Sequence, residues 1–151
     1  MTTPLLERDL KFDEAIGGIA VTIAYPDPLS HGDPWTIGWG HTGPEVRQGV
    51  TWTVEQCEAA LVADIARAER SLDAQMPWWR SMSDVRQDCL LNMCFNMGIG
   101  KLEGFHHTLA AMQTHDYAAA ADGMLASAWA QQVHHRAIRL ASEMRSGAKA
   151  S

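Results

Sequence analysis

The chain has 151 residues and a mass of 16.6 kDa, enough for one domain, or one domain of two lobes, with a buried core. Apolar residues make up 46% and charged residues 20%, which excludes a disordered chain. With 18 acidic against 12 basic side chains the net charge is −6, which excludes a general nucleic-acid binder with a dominant basic surface. The charge is uneven: residues 1–75 carry 5 basic and 12 acidic groups, and residues 76–151 carry 7 and 6. Arg136, Arg139, Arg145 and Lys149 give an acidic body a basic end that can meet a polyanion locally.

Thr3-Pro4 predicts a helix start, with Thr at the N-cap and Pro at the first helical position. Leu5, Leu6, Leu10 and Phe12 give that helix an apolar face, and Gly17-Gly18 ends it near Glu14–Ile16. Ile19–Tyr25 is β-branched and aromatic and reads as a strand. Pro26–Pro34 is a proline-rich loop, and Trp35–His41 reads as a second strand broken by glycines, with the small β unit ending about Gly49. Thr53 and Gln56 form a capping box that opens a helix to about Ala74, with the stripe Val54, Cys57, Leu61, Ile65, Ala68 and Leu72. At about 1.5 Å per residue this helix is long enough to join two lobes. Ser83 caps a helix from Asp84 to about Met97, stopped by Gly98. Shorter helices follow around Gly104-Phe105 and over Tyr117–Leu125, and a last one runs from about Val133 to Arg145. The fold class is α+β and mainly helical: a small β lobe at about 14–53, a bridging helix at about 54–74, and a helical lobe of 75–151 plus 1–13.

Cys57, Cys89 and Cys94 are an odd number without framework spacing, so they read as three buried thiols made in a reducing compartment. The N-terminus has no apolar run for a signal peptide, and no stretch approaches the roughly 20 apolar residues of a membrane span. If the target lies outside the cytoplasm, something else must release the protein. The adjacent pairs His106-His107 and His134-His135 would point about 100° apart on a helix, so neither pair grips one ion. No metal and no cofactor are expected. Trp78-Trp79 and the eight methionines read as packing.

Three features carry chemistry. Glu14 lies in the last turn of the first helix, where the dipole and partial burial favour a protonated carboxyl, as a general acid needs. Asp27 stands between two prolines that fix the backbone on both sides. Trp35-Thr36-Ile37-Gly38-Trp39-Gly40-His41-Thr42 sets a hydroxyl, two indoles and two glycines in one short segment. Glycines allow close approach of a ligand, and the indoles suit either a sugar face or a small β core.

Glu14, then Tyr25-Pro26-Asp27, then Thr36-Ile37-Gly38-Trp39-Gly40-His41-Thr42 resembles the active-site region of the phage lysozymes, the family 24 glycoside hydrolases. Leu91-Asn92-Met93-Cys94-Phe95-Asn96-Met97-Gly98, Gly104-Phe105, Trp129 and Arg136-Ala137 resemble that family's C-terminal lobe in order and spacing. The likeness covers roughly residues 5–147; Ala15 stands where the family usually has Gly, and both segments around Asp27 are longer. The resemblance implies a lysozyme-like fold, with Glu14 as general acid, Asp27 as second carboxylate and Thr36 holding the attacking water. It implies that Arg136 pairs with the catalytic Glu from the other lobe and that His41 supports the site. It places Thr42, Phe95, Asn96 and Thr108 along the substrate. An inverting enzyme needs about 6.5–9.5 Å between its carboxyls to seat a water, and a threonine dedicated to that water suggests inversion.

The activity implied is hydrolysis of the β-1,4 bond between N-acetylmuramic acid and N-acetylglucosamine of bacterial peptidoglycan. A lytic transglycosylase on the same bond is the alternative, where the sugar's own 6-hydroxyl attacks; a non-catalytic glycan-binding module is another. As a phage endolysin, a monomer without direct membrane insertion or nucleic-acid partner, the protein would accumulate in the host cytoplasm. It would reach the wall in the periplasm through holes made by a holin.

Overall fold

A computed structural model describes residues 1–150, apart from the side chain of Ile16. Among the described residues there are eight α-helices and one three-stranded antiparallel sheet, a mainly helical α+β chain as predicted. They divide into two compact units, Leu5–Arg67 on one hand and Met1–Pro4 with Ala68 onward on the other. Ser151, the last residue of the expected helical lobe, lies outside the described residues.

The Leu5–Arg67 unit holds α1 (Leu6–Glu14), a 3₁₀ turn at Ile16–Gly18, β1 (Val21–Tyr25), β2 (Thr36–Gly38), β3 (His41–Thr42) and the first part of α2 (Val54–Gln75). α1 starts later than Thr3-Pro4 predicts, and its N-cap, Leu5, supplies no side-chain bond. The reason is that Thr3 is committed elsewhere: its N–H donates to Asp88 Oδ1 at 2.8 Å and its hydroxyl to Asp88 Oδ2. Leu6 and Leu10 are buried, whereas Phe12 is exposed. Gly17, at φ 68°, turns the chain after α1.

The segment predicted as one broken strand is two. β2 and β3 pair through Thr36↔Thr42 and Ile37↔His41, and the chain reverses over Gly38–Gly40. Gly38 and Gly40 have φ of 68° and 77°, the left-handed region that a tight reversal uses. β1 pairs with β2 through Val21↔Gly38 and Tyr25↔Thr36. The other edge of β1 is covered by residues 50–52, where Ala24 N–H donates to Val50 O and Trp52 N–H to Thr22 O, both at 2.9 Å. Ala24, Ile37 and Val46 form a small core packed by Trp35, Val50 and Trp52. Full burial of a side chain such as Ile37 contributes about 1.5–3 kcal/mol. Trp39 is buried too, its Nε1–H donating to Gly18 O at 3.0 Å with the Lys11 ammonium 4.5 Å above the ring. Of the two readings of the indoles, the β core is therefore the one realised for Trp39, while Trp35 packs half-buried against that core.

The capping box forms as predicted: Gln56 N–H donates to Thr53 Oγ1 at 3.1 Å and Thr53 N–H to Gln56 Oε1 at 2.8 Å. Along α2, Cys57, Leu61, Ala68 and Leu72 are buried, but Val54 is exposed. A helical side chain covers the turn before its own Cα, and at the first helical position no turn precedes it.

In the helical unit, α3 (Asp84–Met97) begins at Ser83, whose hydroxyl accepts from Arg86 N–H, and stops at Gly98. Gln87 to Cys94 are all buried, so α3 is a central helix rather than an amphipathic one. Most of its buried polar atoms are matched: Gln87 Nε2 donates to Arg80 O and Met82 O, though Gln87 Oε1 has no hydrogen-bond partner among the described residues, Asp88 takes Thr3 and Lys149, and Asn92 Oδ1 accepts from Arg136 Nε at 2.9 Å. α4 (Ile99–Glu103), α5 (His106–Gln113), α6 (Tyr117–Leu125), α7 (Ala128–Val133) and α8 (His135–Ser146) follow, with α6 packed on α5 and α8, and α8 on α3. The last predicted helix is α8, which starts just after His134, whose φ is 48°; the helix before it, α7, is not predicted. All three cysteines are buried and free. The basic C-terminal end is not an open cationic patch, because Arg145 pairs with Asp122, Lys149 with Asp88 and Arg139 with Glu143.

Candidate active site

Glu14 is the last residue of α1 and is half-buried. Its carboxyl group rests on the bare backbone of the β2–β3 reversal. A Cβ built on Gly40 would lie 2.5 Å from Glu14 Oε2 and 3.0 Å from its carboxyl carbon. The space left by the missing side chain is thus taken by Glu14 and not by a ligand. At Gly38 the close neighbour is also internal, since a Cβ there would meet Cys57 at 3.4 Å.

Asp27 opens the loop after β1. Its Oδ2 accepts from the backbone N–H of Ser30 at 2.9 Å and of Leu29 at 3.1 Å. These donors, Ser30 first, hold the carboxyl below its ordinary range, so Asp27 is ionised at neutral pH with one oxygen anchored to its own loop. Thr36 begins β2 and is half-buried; Thr42, opposite it on β3, is exposed. Tyr25 faces Thr36 from β1, so Tyr25, Thr36 and Thr42 form one row of hydroxyls across the sheet.

His41 is buried between two carboxylates. Its Nδ1 lies 2.7 Å from Asp64 Oδ2 and its Nε2 2.6 Å from Glu45 Oε1, with the Trp52 ring centroid 5.3 Å away. Burial pushes its pKa down, but the hydrogen bonds and charges of Glu45 and Asp64 outweigh this and raise it. This pair was not found in the sequence, although Glu45 stands at the i+4 position; Asp64 belongs to α2, 23 residues away.

The helical unit holds the other residues singled out in the sequence. Phe95 is half-buried near the end of α3, and the exposed Asn96 uses its Oδ1 to accept from Trp129 Nε1 at 2.8 Å. That bond uses the amide oxygen, so what Asn96 can still offer from its side chain is the amide N–H donors. Thr108 is buried on α5 against Gly123, where a Cβ would collide with its hydroxyl. Thr108, Gly123, Phe105 and Trp129 line a concavity of about 370 Å³. Arg136 is held on α8 by Asn92.

A small antiparallel sheet beside a glutamate-ended helix, followed by a helical unit around a buried central helix, is a lysozyme-like α+β fold. The chain belongs to the phage lysozyme family, whose model matches residues 17–141. The match begins just after Glu14. The pre-baseplate central spike protein Gp5 of Enterobacteria phage T4 is 32% identical over 91 residues, covering 58% of this chain and 16% of that protein. A SAR-endolysin of Enterobacteria phage P21 is 29% identical over 66 residues, covering 44% of this chain and 39% of that one. A probable T4-type lysozyme 1 of Dictyostelium discoideum is 26% identical over 98 residues, covering 63% of this chain and 58% of that one. The chain therefore spans less than two thirds of each of these relatives.

Proposed function

We propose that the protein is a cell-wall lytic muramidase that hydrolyses the β-1,4 bond between N-acetylmuramic acid and N-acetylglucosamine in bacterial peptidoglycan. The observation that carries this reading is the seating of Glu14 on Gly40, in a chain of the phage lysozyme family. It sets one carboxyl group from a helix end against the glycine reversal of the sheet. In the proposed reaction Glu14 gives its proton to the glycosidic oxygen as the bond from that oxygen to the anomeric carbon breaks. Water, accepting from the Thr36 hydroxyl and donating to Asp27, forms the new bond to that carbon, and its proton passes to Asp27. The ionised state of Asp27 suits a base. Within the helical unit, Asn96 and Thr108 are the proposed polar contacts for glycan and Phe95 the proposed apolar one. His41 and Arg136 hold the frame as supporting residues.

The role that follows is that of an endolysin released from the host cytoplasm with the help of a holin. No described helix is long and apolar enough to cross a membrane. Direct displacement by water inverts the anomeric carbon. Proton NMR of the first product from soluble glycan strands is expected to show the α-anomer of the new reducing end. A 1,6-anhydro product instead would mean a transglycosylase, and binding without product would mean a glycan-binding module.

A further inference from the structure

Tyr25 has no assigned task in the reaction above, and it is placed oddly for a packing residue. It is 38% exposed at the end of β1, in register with Thr36. Directly opposed side chains on an antiparallel pair stand about 4.5–5.5 Å apart at Cβ, so the phenol lies over the threonine. We infer that Tyr25 is a positioning residue for the reaction, its phenol hydroxyl hydrogen-bonding the Thr36 hydroxyl and so fixing that hydroxyl where it meets the attacking water. The inference rests on the muramidase reading of the same site.

A threonine hydroxyl turns freely unless a neighbour holds it, and with one donor and two acceptor sites it can bond a phenol and still meet a water. The register sets Tyr25 opposite Thr36. Burial raises the Tyr25 pKa, and the hydrogen bond between Tyr25 and Thr36 lowers it in part. Tyr25 thus ties the end of β1 to the hydroxyl proposed to hold the water.

The test is a double-mutant cycle with Tyr25→Phe and Thr36→Val on soluble, uncross-linked glycan strands, reading kcat and KM separately beside melting temperature. Tyr25→Phe keeps the ring and is expected to lower kcat about 10–100-fold with KM within about twofold. In the Thr36→Val background the same change is expected to cost less than about twofold, because the hydroxyl it directs is gone. Thr36→Ser keeps a hydroxyl and is expected to retain dependence on Tyr25. Wild-type kcat in Tyr25→Phe, or losses that multiply in the double variant, would overturn the inference and leave the muramidase reading intact. A wild-type protein that releases no product from any glycan would remove that reading, and this inference with it.

Discussion

His41 Nδ1 and Asp64 Oδ2 lie 2.7 Å apart, joining the start of β3 to the middle of α2. The other ring nitrogen meets Glu45, and Arg67 stands 3.2 Å from Asp64 on the far side. The folded protein binds the His41 proton more tightly than the unfolded chain does, since the pKa rises above 6.5. That contribution to stability is complete below about pH 6.5 and fades as pH climbs through the raised folded-state value. Glu45 is shifted the other way, below 4.5. Its contribution is complete above that value and is lost as pH falls through its folded-state pKa. The clamp is thus strongest between about pH 4.5 and 6.5. His41→Gln is expected to lower stability by about 1–3 kcal/mol there. Chemical denaturation at pH 6 and pH 9 should show a smaller penalty at pH 9; an equal penalty would mean that the ring acts by packing alone.

Gly40 and Gly49 separate backbone strain from contact with the proposed acid. Both have positive φ, 77° and 86°, but nothing lies within 4 Å of a Cβ at Gly49, whereas one at Gly40 meets Glu14. Alanine at either site should cost about 1–2 kcal/mol from the left-handed backbone. Only Gly40→Ala also displaces the carboxyl group, so it alone should lose lytic activity, by about tenfold or more. Matched melting curves and turbidity assays of the two variants check this, and equal activity in both would detach Glu14's seat from function.

The thiols give a test of the core. Burial raises the pKa of Cys89 well above 9.0, that of Cys94 to about 11, and that of Cys57 above 9.0. Thiolate is the reactive form, so a disulfide reagent at pH 8 should label none of the three quickly in the native protein and all three after denaturation. Rapid labelling of one thiol in the native state would place it outside the packed interior.

Local signals in the sequence were legible and distant ones were not. The Thr53–Gln56 box and the Ser83 cap need only neighbours three residues away, and both form. Thr3 carries an equally good cap signal, but a carboxylate 85 residues away takes both its hydroxyl and its N–H. The Trp35–His41 run showed its glycines but not that they close a hairpin, because register depends on the partner strand. The break at His134 has no glycine or proline to mark it. At the site, Glu14 and the glycine-rich hairpin stand out in sequence and touch in space. The clamp of His41 by Asp64 and the facing of Tyr25 and Thr36 are products of tertiary packing and strand register, which residue spacing does not encode.

The central claim is that Glu14 protonates a glycosidic oxygen in peptidoglycan. Mass spectrometry of fragments released from purified peptidoglycan by wild type, Glu14→Gln and Asp27→Asn tests it most directly. Reducing-end muropeptides from wild type, absent with both variants while each still folds, are the predicted result. The same fragments released undiminished by Glu14→Gln would contradict the account.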